Sequence, residues 1–288
     1  MKTSLLFLSF LLLTATAFAQ SANWNYASNF PGNGFINQFD TSGVHSLAVD
    51  GDGKVWFQLW SLTNETQINN ETVLVSSVFV FNEDGTESNI SPINFFSLDG
   101  DTTYFTENNA RGMSADQNGD IIISYGQNLF KVNHVTGEGI AKFESPSASS
   151  LTKSSVADNG NVVVGHVFPD LPVYLLNTDL NIIENVVNSR SGFARTVEIS
   201  KDANDVFIFK HTEQKIELYT FDSNSEQYLY SRDFLTGISG ESSIIYNEKL
   251  WVGGGHINDP HQSGSGFENY TWYEFDLNSE TVTNEIKW

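Results

Sequence analysis

Apolar and polar positions alternate along most of the chain in runs of four to eight residues broken by turn formers, the pattern of half-buried strands. The clearest case is Gly43 to Trp60, GVHSLAVDGDGKVWFQLW, where two apolar runs flank Asp50-Gly51-Asp52-Gly53. Glycines there tolerate the backbone of a tight hairpin. The unit returns at Gly112–Tyr125, Ser154–Val167, Thr196–His211 and Ser242–Gly255. A second hairpin follows each first one, marked by an apolar residue and then Asn or Asp. These pairs are Phe81-Asn82, Val132-Asn133, Leu176-Asn177, Phe221-Asp222 and Phe275-Asp276, spaced 51, 44, 45 and 54 residues apart.

Each repeat therefore holds four strands, and four antiparallel strands at a period in the forties predict a β-propeller. The expected architecture is all-β, a single propeller of five or six four-stranded antiparallel blades. Five blades begin near Gly43, Ala110, Leu151, Phe193 and Ile238, covering 43–109, 110–150, 151–192, 193–237 and 238–288. The first strand of each lines the central channel. Residues 21–42 hold strand-like aromatic positions and a Phe39-Asp40 pair, so they supply either a strand that closes the ring, removing an exposed sheet edge, or the remnant of a sixth blade.

The first 19 residues stand apart from this pattern. Lys2, the apolar run Leu5–Leu13 and the small-x-small triplet Ala17-Phe18-Ala19 read as a secretory leader cleaved after Ala19, predicting a secreted or periplasmic product. No later run approaches a membrane span. Cysteine is absent, so the fold must rest on its apolar core and repeat contacts. A net charge of −21 from 14 basic and 35 acidic residues argues against nucleic acid and anionic membranes as partners. The Asn-x-Ser/Thr matches at Asn64, Asn70, Asn89 and Asn269 read as chance in an Asn-rich chain.

Through Ser46-Leu47-Ala48-Val49-Asp50, Gly53 and Val55-Trp56, the first blade resembles the propeller repeats in the sensor regions of bacterial two-component regulators. The other four blades share only the hydrophobic pattern, which NHL and quinoprotein propellers also show. The resemblance implies the fold.

Turns joining the first to second and third to fourth strands are short, so function is expected on the opposite, top face. Its long connections are Ser61–Ser76, Ser91–Asn109 and Gly253–Tyr270. Placing the blades in register sets His45, Arg111, Lys153, Arg195 and Glu241 at one height near the top of the channel, three of the few cations in an acidic chain. Such a ring suits an anionic ligand, although the same cations could pair with Glu241, Asp116 or backbone carbonyls and plug the channel. Trp60 and Tyr125, where second strands reach the top, are candidates to face a sugar ring or to pack under the loops. Trp56 and Trp251 are expected between blades.

His166, His211 and His256 end second strands in consecutive blades, and His261 is also on the top. They are candidate acid, base or metal ligands, and His256, Asp259 and His261 hold ligand types locally. Virginiamycin-inactivating lyases are propellers that use top-face histidines with a divalent ion, and the likeness here is in placement. Asp50-Gly51-Asp52-Gly53 opens like a calcium loop but has Lys54 at a ligand position, so it reads as a turn.

These features favour a monomeric recognition module, without cofactor, for an acidic glycan, carboxylate or other small anion. The alternatives are a lyase or hydrolase using His166, His211, His256 or His261 with a divalent metal, and a scaffold that binds another protein.

Overall fold

The structure, a computed structural model, describes residues 30–32, 35, 43–253, 267, 268 and 271–287. The leader, most of 20–42, and His256, Asp259 and His261 lie outside the described residues.

The strands fall into seven antiparallel sheets, five of them the blades of a β-propeller and two of them two-stranded hairpins. Blade one has β1 (Val44–Val49) and β2 (Val55–Leu59), then the inserted hairpin β3 (Asn64–Ile68) and β4 (Glu71–Val75), then β5 (Val78–Phe81). Its outermost strand is reduced to two bridges, Phe81 to Glu87 and Val78 to Ile93. A second inserted hairpin, β6 (Phe95–Leu98) and β7 (Asp101–Tyr104), leads to blade two. That blade is β8 (Ala110–Ala115), β9 (Ile121–Tyr125), β10 (Asn128–Val132) and β11 (Gly139–Glu144). Blade three is β12 (Ser155–Val156), β13 (Val162–Val164), β14 (Val173–Leu176) and β15 (Ile182–Val187). Blade four is β16 (Val197–Ile199), β17 (Asp205–Lys210), β18 (Lys215–Asp222) and β19 (Gln227–Thr236). Blade five is β20 (Ser242–Tyr246), β21 (Lys249–Gly253), β22 (Thr271–Asp276) and β23 (Val282–Lys287).

Two of the long top connections are therefore ordered hairpins. Asn69 and Asn70 both take positive φ, as do Asp99 and Gly100, which are the two-residue turns that Asn and Asp-Gly favour.

Strands reading Ile121-Ile122-Ile123 are apolar on both faces because each blade is sandwiched. Ile121 and Ile123 join Trp56, Val78 and Val80 of blade one, whereas Ile122 joins Val162, Val164 and Tyr174 of blade three. Each fully buried side chain of this size contributes roughly 1.5–3 kcal/mol of hydrophobic stabilisation. Trp56 is fully buried and donates from Nε1 to Asp50 Oδ2 at 2.7 Å, tying core to turn. Neighbouring blades approach too closely for a side chain at two glycines: a Cβ on Gly119 would lie 2.4 Å from the Gly51 backbone, and one on Gly112 would lie 2.5 Å from Lys153 Cβ.

The junction between blades five and one is different. Blade one turns Phe57, Leu59, Phe79 and Phe81 towards it, where they pack with Phe35, and Phe30 lies edge-on to Phe81 at 6.3 Å. These aromatics form their own cluster, apart from the blade-five core of Leu250, Val252, Tyr273 and Phe275. Trp251, on the face of blade five that looks this way, is half-buried rather than core.

Candidate functional site

The top mouth is built by β-bulges. In β1, Val44 pairs with Leu59 and Ser46 with Gln58, leaving His45 as the extra residue. In β8, Ala110 pairs with Tyr125 and Gly112 with Ser124, leaving Arg111. A bulge re-aims its extra side chain, here towards the channel mouth. Blade four reaches the same level by a matching bond: Ala194 donates its amide to Val167 O as Leu151 does to Gly126 O, so Arg195 follows as the equivalent of Arg111.

In blade three the equivalent is Thr152, and Lys153 falls one step below the ring. The turn of that blade is closed by Ala157, whose carbonyl accepts from Gly160 N as Asp50 O does from Gly53 and Asp116 O from Gly119. Counting from Asp158 places Lys153 one residue too high. Its ammonium instead donates to Glu198 Oε1 at 2.7 Å. Glu198 is buried and also accepts from Ser155 and Ser243, both at 2.6 Å, while Thr196 meets Ser243 at 2.7 Å. This network bolts the innermost strands of blades three, four and five together beneath the mouth.

Above it, the half-buried Trp60 ring lies 4.7 Å from the His45 ring and 4.7 Å from the Arg111 guanidinium carbon. Arg111 Nε donates to Ser150 Oγ at 2.5 Å. Neither Arg111 nor Arg195 forms an ion pair with a carboxylate among the described residues. Burial, then the Arg195 charge, holds Arg111 below the ordinary arginine range. His45 keeps contact with solvent, but crowding at the mouth, followed by the charges of Arg111 and Arg195, lowers its pKa against the opposing bond that the ring donates to the Ala110 backbone. The fixed positive charge at the mouth belongs to the two arginines. Glu241, at the start of blade five, lies 3.9 Å from His211 Nε2.

His166 is wholly buried, with Nε2 2.7 Å from Ser145 Oγ and Nδ1 donating to Pro172 O at 2.8 Å, so both nitrogens are committed to structure. Burial lowers its pKa, with Arg190 adding to the effect and the bond to Pro172 opposing it. Among the described residues no three side chains are grouped to hold a metal. Tyr125 is also withdrawn from the surface: its hydroxyl donates to Glu107 O at 2.8 Å and its ring lies on Phe105 at 4.9 Å. Burial pushes its pKa up to about 12.

Two residues of the top face escaped sequence reasoning. Phe168 and Phe193 are both exposed, with ring centroids 5.5 Å apart. The available signal was position, since Phe193 precedes Arg195 by two residues at the top of its strand.

Neither a family model nor a curated protein matches the sequence. Among solved structures, a Bacteroides caccae protein of unknown function superposes with a TM-score of 0.56 at 14% identity, over 85% of this chain and 82% of the other. The β-propeller domain of Myceliophteria thermophila Cps50 (Swd1) gives 0.54 at 10%, over 85% and 72%. A chain of the mitotic checkpoint complex gives 0.53 at 10%, over 85% and 63%. At these identities the likeness carries the architecture alone, and it is that of a β-propeller.

Proposed function

We propose that the protein is a recognition module whose top mouth binds an anionic group of a small molecule or glycan between Arg111 and Arg195, beside Trp60. One observation carries this: Arg111, laid against Trp60 and bonded to Ser150, feels the charge of Arg195, and neither arginine has a carboxylate partner among the described residues of a chain of net charge −21. Holding like charges together is unfavourable unless an anion offsets them, and paired guanidiniums suit carboxylate, sulfate or phosphate oxygens. The Trp60 face adds an apolar wall on which a ring could rest. A leader at Met1–Ala19 would deliver the module outside the cytoplasm, consistent with the sensor repeats the first blade resembles.

The test is titration of the purified mature chain, residues 20–288, with acetate, glucuronate and sulfate, followed by calorimetry and thermal shift. Binding should weaken steeply with salt and vanish in Arg111→Gln/Arg195→Gln with the circular dichroism spectrum unchanged. Equal binding in parent and double variant would sink the proposal.

A further inference from the structure

The mouth has an apolar continuation. Past the bulge at His45, β1 presents Leu47 and Val49 on one face, 57% and 51% exposed. Opposite them, on β20, Ile244 and Tyr246 are 48% and 61% exposed. The other faces of these strands fix the geometry. Ala48 packs into the blade-two core and Ile245 into the blade-four core, so the exposed sets look at each other across the junction of blades five and one. At other junctions large apolar side chains at these strand positions are covered: Met113 and Val197 stand where Leu47 does, Val156 and Ile199 where Val49 does, and all four are buried, while the smaller Ala115 of blade two is partly buried.

Four large apolar side chains on two innermost strands are thus left open along one wall of the channel. Further out on blade one the wall is closed by Phe30 and Phe35 over Phe57, Phe79 and Phe81. Among the described residues the inner edges of blades five and one thus leave an apolar slot between β1 and β20. Its upper end is the cationic mouth, so charge complementarity selects a head group and the apolar walls select a tail. From His45 to Val49 the strand rises about 13 Å.

We propose that the ligand is an amphiphilic anion, its carboxylate held at Arg111 and Arg195 and its alkyl chain lying between β1 and β20 along Leu47, Val49, Ile244 and Tyr246. This rests on the anion-binding mouth and adds the tail to it.

The probes are the unbranched carboxylates from acetate to decanoate, below their micellar concentrations, titrated into residues 20–288. Affinity should rise roughly fourfold with each added methylene until the slot is filled. Decyltrimethylammonium, with the same tail and the opposite charge, should bind far more weakly. Leu47→Asp/Ile244→Asp should flatten the series while acetate and sulfate still bind, and both positions are exposed enough for the variant to fold. Leu47→Ser/Ile244→Ser is the milder form should it not fold. Carboxylates that bind without dependence on length overturn the slot and leave the mouth standing. Failure of every anion overturns both. A length dependence that persists in the double Asp variant, or that emerges only when residues 20–29 are deleted, also overturns the proposal; in the latter case the chain's own N-terminal segment occupies the slot.

Discussion

Replacing Glu198 or Lys153 separates a structural role beneath the mouth from a ligand-binding role within it. The Glu198 carboxylate is 1% exposed and accepts from the Lys153 ammonium, Ser155 and Ser243. Glu198→Ala leaves that ammonium, itself largely buried, without a counter-charge, and orphaning one member of such a pair costs about 3–5 kcal/mol. For a chain of this size each kcal/mol is about 2–4 °C in the unfolding midpoint, so the variant should melt some 6–20 °C below the parent, roughly. Lys153→Met orphans the carboxylate and should cost a similar amount. Glu198→Gln keeps an acceptor oxygen for Ser243 and should cost less. Combining Lys153→Met with Glu198→Gln removes both charges, and the double variant should be more stable than the sum of the single losses by about 1 kcal/mol or more. Thermal and urea unfolding near pH 7, followed by circular dichroism, measure all four. A Lys153→Met protein with an unchanged midpoint and weakened anion binding would refute the assignment and return Lys153 to the mouth.

Other positions give shorter tests. Gly119→Ala places a Cβ 2.4 Å from the Gly51 backbone at a φ of +84°, so it should lower stability by about 2–4 kcal/mol, read from urea midpoints. Trp56→Phe leaves Asp50 Oδ2 without its buried donor and should cost about 1–3 kcal/mol, checked against Trp251→Phe, which should cost less because Trp251 is half-buried. His166 sets an acid limb. Its folded pKa is depressed, so the unfolded chain binds the proton more readily; stability is full above the unfolded value near 6.5 and falls as pH drops from there through the lowered folded value. His166→Gln should flatten that limb in melts from pH 8 to 5. His45 is also depressed, so anion affinity should be level from pH 8 to 7 and rise only in acid as the imidazole charges, and His45→Gln should abolish the rise.

The blades were legible because their signals are local. Turn residues such as Asp50 to Gly53, and runs such as Ile121 to Ile123 that must face two neighbours, follow from alternation and backbone freedom alone. The two inserted hairpins were equally local, announced by Asn69-Asn70 and Asp99-Gly100, yet length alone makes such segments read as loops. The half-burial of Trp251 was not local. Its strand matches that of Trp56 in sequence, and only the neighbour across the junction distinguishes them.

The mouth shows why charge placement is harder to read than fold. Period-two counting assigns a face to every residue of an unbroken strand, but a bulge adds one residue and reverses the assignment beyond it. His45 and Arg111 are themselves the extra residues, so counting that ignores the bulges still gathers them, because both blades err by the same step. Blade three ends its strand at Ala157 instead of an acidic turn residue, and a count from the next Asp carries Lys153 up by one. One position decides whether that ammonium meets solvent and a ligand at the mouth or a buried carboxylate beneath it. Thr152 at the mouth therefore interrupts the cations between Arg111 and Arg195, which leaves Arg111 and His45 beside Trp60 in place of an even ring.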